Sequence, residues 1–299
     1  MGEQSLTTYR QGIPIPFQKT SLRFSRKGEN TFILKWLQNV RFRVNFGRDR
    51  SNNQVIVQRI MDGIYNTEMS SLQLKDDKIF LLLSVDIPNK EPKGLDPNLV
   101  VGVDLGINIP AYCALSNEKS FLQLGNKKDF FDHRIQMQYR RKRLFNSLKL
   151  TQGGKGKTKK MKLLDKLEGL ERNYVRTYNH NISKQIIVFA LENGAGTIKL
   201  ELLTNIGKRL KDTYLLRNWS YHELQTLIKY KAEREGINTI FVNPYRTSSM
   251  CANCNHYDAK QRITQALFRC NNPDCPNYMR DVSADRNAAI NISKSIETI

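Results

Sequence analysis

Cys251, Cys254, Cys270 and Cys275 form the pattern CANC then CNNPDC, with two residues inside the first pair, fifteen between the pairs and four inside the second. Two thiolate pairs, each on a tight turn, are how a pair of hairpin knuckles presents four sulfurs tetrahedrally to Zn²⁺. Asn253, Asn255, Asn271 and Asn272 tolerate the turn conformations that knuckles need. A four-sulfur site leaves no position open to substrate, so the expectation is one structural Zn²⁺, with His256 not needed as a ligand. The fifth cysteine, Cys113, sits in an apolar run and reads as a small buried side chain.

Three acids stand at the ends of otherwise apolar segments. Asp104 closes LVVGVD, Glu201 interrupts IKLELL, and Asp285 opens the small, apolar stretch ADRNAAINI. A carboxylate in such a setting is costly unless it is paired or bound to metal. Each also has an ordinary reading: Asp104 as a turn former, Glu201 as the solvent face of a strand, Asp285 as a helix N-cap. Together, in a strongly basic chain, they fit hard cations held beside a phosphodiester, with oxygen ligands for Mg²⁺. In such a two-metal site one ion activates water and the other stabilises the departing 3′ oxygen. Asp281 is a weaker candidate than Asp285, four residues on.

A basic run lies between these acids. From Lys127 to Arg176 there are 16 Lys or Arg against 5 Asp or Glu, interleaved with Tyr139, Phe145, Tyr174 and Tyr178. Arg140, Arg141, Lys142, Arg143, Lys155, Lys157, Lys159 and Lys160 are the candidates for contact with a phosphate backbone, which carries affinity but little sequence information. A solvated helical hairpin would read the same way residue by residue.

The elements that must position these groups follow from periodicity. Residues 1 to about 95 read as β-rich, a small barrel or sandwich, with FILKWL, VRFRVNF, QVIVQRI and KIFLLLSVDI as strands and no helical stripe of useful length. LVVGVDLG, IPAYCAL and SFLQL predict three consecutive strands that open an α/β region. A basic helix, FFDHRIQMQYRRKRLFNSLKL, comes next, and TQGGKGKTKK reads as a mobile loop. Leu163, Leu167, Leu170, Tyr174, Tyr178, Ile182, Ile186 and Phe189 recur at helical steps, and Gly194 ends that helix. TIKLELL is a strand. NWSYHELQTLIKYKAEREG is a helix with Ser220 and Glu223 spaced as a capping box, and INTIFVNP is a strand. The ribbon follows, then a last helix, SADRNAAINISKSI. No internal repeat is found.

The whole chain has 299 residues, with 48 Lys and Arg against 28 Asp and Glu, a formal charge of +20. A field of that size attracts polyanions, nucleic acid first among them. Paired cysteines in one short stretch argue for metal rather than a secreted disulfide framework. No apolar run approaches the ~18 residues of a membrane span, and MGEQSLTTYR has no signal-peptide layout, so the cytoplasm is the expected compartment.

The ordered set GVDLGIN, IKLELL, NWSYHELQTLIKYKAEREGI, NPYRTSSMCANC, FRCNNPDC and DRNAAINI resembles the transposon-encoded TnpB (OrfB) proteins, and more so the miniature type V CRISPR effector nucleases related to them. The likeness runs from about residue 99 to the C-terminus, and TYRQGIPIPF resembles the start of those effectors' wedge segment. It implies an RNase H-like (RuvC) α/β nuclease domain, an N-terminal β-rich wedge domain like an oligonucleotide-binding barrel, and an inserted zinc ribbon. The implied division is 1–96 wedge-like, 97–246 first part of the nuclease, 247–279 ribbon contacting target nucleic acid, and 280–299 its C-terminal helix. It also implies RNA-guided, Mg²⁺-dependent DNA cleavage, with Asp104, Glu201 and Asp285 holding two Mg²⁺. The implied partners are a guide RNA, a DNA target, and a second copy or a longer homologous chain. The family's helical recognition segment is expected to be missing, because the chain begins almost directly at wedge-like strands. Two other readings therefore stay open: a subunit that binds guide RNA and DNA without cutting alone, and a transposase using the same acids.

Overall fold

The computed structural model describes residues 12–28, 31–36, 40–75, 77–92, 94–106, 108–202 and 221–296. Two compact units divide the chain, 1–88 and 89–299.

In the first unit, β1 (Ile15–Phe17), β2 (Leu22–Arg26), β3 (Phe32–Trp36) and β4 (Val40–Arg43) precede a helix, α1 (Asn53–Met61). After it come β5 (Asn66–Thr67), β6 (Ser70–Lys75), β7 (Lys78–Leu82) and β8 (Val85–Asp86). They form antiparallel sheets of order β1-β6-β7 and β2-β3-β4, with a small β5-β8 ladder. Phe17, Leu22, Leu34 and Leu72, drawn from both larger sheets, make one core. The β-rich expectation holds with two corrections. QVIVQRI is the helix α1, not a strand: both Asp49 carboxylate oxygens accept backbone N–H groups at its start, from Asn53 at 2.6 Å and Gln54 at 2.9 Å. With those donors satisfied, Val57 is buried and Ile60 and Met61 half-buried at helical spacing, which overrides the strand preference of β-branched residues. KIFLLLSVDI is not one strand either, because it breaks at Leu83 and Ser84 and its two parts, β7 and β8, join different sheets.

The second unit is built on one sheet. Its strands are β9 (Asp96–Asp104), β10 (Ala111–Leu115), β11 (Phe121–Leu124), β12 (Ala195–Glu201) and β13 (Asn238–Val242), in the order β11-β10-β9-β12-β13. β9, β10 and β11 run as an antiparallel meander, while β12 is parallel to both β9 and β13. The helices are α2 (Lys127–Lys149), α3 (Gly154–Glu192), α4 (Tyr221–Arg234) and α5 (Ala284–Lys294). Val101, Val103, Ile198 and Leu200 share one core with Ile182 and Ile186 of α3 and Leu224 and Ile228 of α4. Side chains alternate along a strand, so Gly102, Asp104, Lys199 and Glu201 belong to the opposite face, where α5 packs. Cys113 is fully buried in the α3–α4 core.

TQGGKGKTKK is not a loop beyond its first residues. The connection between α2 and α3 ends at Gly153, and Lys155, Lys157, Lys159 and Lys160 lie on α3. Lysine is a good helix former, and Lys160 fastens the turn by donating to Ser147 O at 3.3 Å and Thr151 Oγ1 at 2.9 Å. α3 ends where its spacing predicts, with Gly194 at φ +69°. Its apolar stripe is buried only in the second half: Leu163 and Leu170 are exposed, whereas Ile182, Ile186 and Phe189 pack on the sheet. α2 is fastened to α3 by a buried ion pair, Arg134 Nη2 to Glu171 Oε1 at 3.1 Å. Of the expected capping box, Ser220 lies outside the described residues, and Glu223 accepts a hydrogen bond from Asn179 at 2.8 Å. Among the described residues no helix is long and apolar enough to cross a membrane.

Candidate active site

Three chain segments far apart in sequence bring the acids together. β9 and β12 are parallel neighbours in a register that sets Lys199 beside Gly102 and Leu200 beside Val103. One residue further on, Glu201 falls beside Asp104, at the same end and on the same face of the sheet. Asp285 approaches from the first turn of α5. Gly102 lets α5 come this close: a Cβ there would stand 2.0 Å from Ala289 O and 2.4 Å from Ser293 N. Lys199, beside it, donates to Ser293 O at 3.2 Å and Ser295 O at 2.8 Å and so ties down the end of the helix. The N-cap reading of Asp285 does not hold, since Ser283 caps α5 by accepting from Arg286 N, and Asp285 lies inside the helix, 8% exposed.

The electrostatics follow from this crowding. The Asp104 carboxyl is held well above the usual carboxylate range, by burial first and then by the charges of Glu201 and Asp285. Burial also raises Glu201, opposed by a hydrogen bond from Thr247 and by the charge of Arg262. Asp285 is raised by burial and lowered by Arg262. Burial thus disfavours the ionised acids, Arg262 offsets this in part, and the all-oxygen donor set suits a hard divalent cation. Asp281 sits elsewhere, exposed and paired with Arg269 at 2.6 Å.

The sequence reading missed four supporting residues. Thr247 donates its hydroxyl to Glu201. Arg262 is the cation that bears on all three acids. Asn287 and Asn291, inside a helix read as small and apolar, fasten the 247–252 turn: Asn291 donates to Thr247 O and Met250 O, both at 2.7 Å, while Asn287 donates to Met250 O at 2.7 Å and accepts from Ala252 N. A polar residue on the buried face of an Ala- and Ile-rich helix was the available signal.

The cysteine sulfurs all lie within 4.8 Å of one another. Cys251 and Cys275 sulfurs are 3.8 Å apart, and those of Cys254 and Cys270 are 3.7 Å apart. A disulfide would be near ~2.05 Å. A tetrahedron with metal–sulfur bonds of ~2.3 Å has edges of ~3.8 Å, so the spacing matches a four-sulfur metal site. Asn255 takes the left-handed conformation expected of a knuckle, φ 57°. Burial raises the Cys254 thiol, but the His256 N–H, Asn272 and the neighbouring sulfurs bring it down to about 7. No other set of three or more His, Cys, Asp or Glu ligand atoms is gathered so tightly among the described residues. β14 (Leu267–Arg269) and β15 (Asp281–Ser283) pair antiparallel beside this cluster.

Of the eight basic candidates, Arg140, Lys142, Arg143, Lys155, Lys157 and Lys159 are exposed. Arg141 and Lys160 are engaged within the hairpin: Arg141 pairs with Glu168 and Glu171, and Lys160 with the α2–α3 turn.

Residues 221–292 match the family described as Cas12f1-like, TNB domain. The chain is 32% identical over 309 aligned residues to the CRISPR-associated endodeoxyribonuclease Cas12f1 of Sulfoacidibacillus thermotolerans, covering 98% of this chain and 71% of that protein. It is 29% identical to the Cas12f1 of Syntrophomonas palmitatica, over 85% of this chain and 50% of that protein. A TnpB-like protein of Methanocaldococcus jannaschii is 37% identical over 131 residues, 42% of this chain and 45% of that one. A cryo-EM structure of a Cas12f1–sgRNA–target DNA complex superposes with a TM-score of 0.77 at 22% identity, over 99% of this chain and 67% of that chain. The chain therefore spans from half to about seven-tenths of the length of these Cas12f1 relatives.

Proposed function

The chain belongs to the TnpB-like miniature type V CRISPR effectors, among which the Cas12f1 endodeoxyribonucleases are its relatives, and from that membership we propose that it is an RNA-guided, Mg²⁺-dependent DNA endonuclease. Its partners on this reading are a guide RNA and a DNA target. The observation that carries the proposal is the convergence of Asp104, Glu201 and Asp285 on one sheet face, with raised carboxyl pKa values and Arg262 close enough to act on all three.

In this reading the unit 89–299 is an RNase H-like (RuvC) domain, supported by its strand order and by the three parallel strands β9, β12 and β13. The unit 1–88 serves as a wedge-like domain. Asp104, Glu201 and Asp285 hold two Mg²⁺, while Cys251, Cys254, Cys270 and Cys275 hold one structural Zn²⁺. The bound Mg²⁺ ions supply a lowered water pKa and charge neutralisation at the phosphate and the leaving oxygen. The protein does the rest. Thr247 fixes the rotamer of Glu201 through its hydroxyl. Gln225 holds the end of β12 by donating to Glu201 O at 2.6 Å. Arg262, carried on the ribbon, favours the ionised form of each acid. The exposed Arg140, Lys142, Arg143, Lys155, Lys157 and Lys159 offer charge to nucleic-acid backbone.

The test is Asp104→Ala in the full chain with its co-purified RNA. Plasmid and oligonucleotide cleavage in Mg²⁺ should vanish, and nucleic-acid binding should persist. Undiminished cutting by the variant would overturn the assignment. Binding without any Mg²⁺-dependent cutting by the unmodified chain would favour the reading as a nucleic-acid-binding subunit.

A further inference from the structure

The row of side chains on the sheet face under α5 does not end at the acids. β10 runs antiparallel beside β9, on the side away from β12, and its register sets Tyr112 beside Asp104 and Ala114 beside Gly102. Residues opposite each other in such a ladder have Cα atoms ~4.5–5.5 Å apart and share a face. Tyr112 therefore extends the line from Glu201 through Asp104 by one strand. Phe121 of β11 stands opposite Ala114 on that face. Tyr112 and Phe121 pack there against Ala114, Ala289 and Ile290.

Arg286 reaches this flank from the first turn of α5. It follows Asp285 directly and is exposed, with its guanidinium carbon 4.0 Å from the centroid of the Phe121 ring. Its charge and that of Asp285 both act on the Tyr112 hydroxyl, so phenol, arginine and acid share one neighbourhood. Neither polar group is spent within the protein. Lys294 pairs with Glu118 and Arg269 with Asp281, whereas among the described residues Arg286 has no ion pair and the Tyr112 hydroxyl no hydrogen bond. An arginine resting on an aromatic ring gives up freedom of movement and keeps its donors.

We propose that Arg286 and Tyr112 anchor the backbone phosphate next to the scissile one, and so set the register in which the cleaved strand lies across the acids. This rests on the nuclease reading above and adds the groups that select which bond is cut. Bound metals neutralise the scissile phosphate. Its neighbour along the strand has no metal. With Arg262 turned to the acids, that neighbour's charge falls to the nearest uncommitted cation, Arg286. A guanidinium takes a phosphate through two parallel N–H donors, and the Tyr112 hydroxyl adds a third. Such a contact fixes position and carries no sequence information. It confines cutting to one linkage, because a displacement of ~1 Å from the productive geometry costs on the order of 10²-fold in rate.

The experiment scores coupling between protein and substrate. The full chain with its co-purified RNA is given labelled DNA in Mg²⁺. Single methylphosphonates, which lack the phosphate charge, are placed in turn at each linkage of the cleaved strand. In the unmodified chain one linkage beside the cut should slow cleavage by about ten- to a hundredfold, the range of a hydrogen bond to a charged group. Arg286→Gln should slow cleavage of all-phosphate DNA by a similar factor and spread the cuts to neighbouring linkages. In that variant the same methylphosphonate should cost nothing further. Arg286→Lys should recover part of the rate, since it keeps the charge without the fork. Tyr112→Phe should slow cleavage by about three- to tenfold and weaken the coupling to the same linkage. Unchanged rate and cut position in Arg286→Gln would overturn the anchor, as would a methylphosphonate penalty that stays whole in that variant at every linkage. Failure of the nuclease reading is a different result: no cutting of all-phosphate DNA by the unmodified chain. The same series is then read as binding affinity with Ca²⁺ in place of Mg²⁺, where a penalty abolished by Arg286→Gln upholds the phosphate contact and an undiminished one refutes it.

Discussion

Gly102→Ala tests whether the acid cluster depends on the contact between β9 and α5. The added Cβ would lie 2.0 Å from Ala289 O, 2.4 Å from Ser293 N and 2.8 Å from Ser293 Cβ. Ordinary contact begins near 3.4 Å, so the helix must retreat by more than ~1 Å, on a scale where packed cores resist even one methylene. Two of the three atoms are backbone and cannot rotate away. Overpacking of this kind costs typically ~1–3 kcal/mol, and the backbone clash puts the expectation at the upper end. In a unit of this size, ~3 kcal/mol lowers Tm by roughly 6–12 °C. The functional loss should be larger, because α5 carries Asp285 and Gly102 lies two residues before Asp104. A misplacement of ~1 Å in a catalytic constellation costs on the order of 10²-fold in rate. Thermal unfolding followed by circular dichroism and Mg²⁺-dependent cleavage of labelled DNA are the two readouts. Gly169→Ala in α3, where nothing lies within 4 Å of the added atom, is the control and should stabilise by up to ~1 kcal/mol. If Gly102→Ala melts and cuts like the unmodified chain, the close approach of helix to strand does not position the acids.

Metal-free stability should fall with rising pH. Asp104, Glu201 and Asp285 have folded pKa values raised above their unfolded ones, so the folded state binds more protons. The stability they add is complete below the unfolded carboxylate range and is lost as pH climbs through the raised values. Denaturant titrations in EDTA should show this slope, and Asp104→Asn should flatten it while abolishing cleavage; an unchanged slope would contradict the crowding of the acids. With Zn²⁺ held by the four cysteines as proposed, chelation, or Cys270→Ser, should release the ribbon and with it Arg262, so that cleavage falls while the five-stranded sheet keeps its circular dichroism. Metal analysis alongside the assay checks this, and full activity at zero zinc would refute it. Glu171→Ala should destabilise by ~3 kcal/mol or more, since it leaves Arg134 buried without its carboxylate; urea unfolding reads the loss.

Much of the active unit was legible in the sequence for local reasons. The cysteine spacing already contained the sulfur cluster, because two short turns bring each pair together within its own few residues. LVVGVD and IKLELL already marked Asp104 and Glu201 as acids in otherwise apolar strands, and the three- and four-residue steps from Ile182 to Phe189 gave the buried half of α3. Local patterning failed where a distant or competing group decided the outcome. Asp49 turned the strand-like QVIVQRI into a helix by accepting its first N–H groups, and in TQGGKGKTKK it is Lys160, bound to the α2–α3 turn, that fastens the start of a helix where a loop was expected.

Composition and spacing thus determined which residues could bind metal and on which elements they would lie. Only the tertiary structure decided that they meet. The parallel register of β9 with β12, the approach of α5 over Gly102, and the placing of Thr247 and Arg262 against the acids are contacts between segments about 100 or more residues apart, or across the ribbon's fold. Periodicity reports how each element buries its own apolar side. It carries no information on which neighbour fills the other side, and that choice assembled the acid cluster.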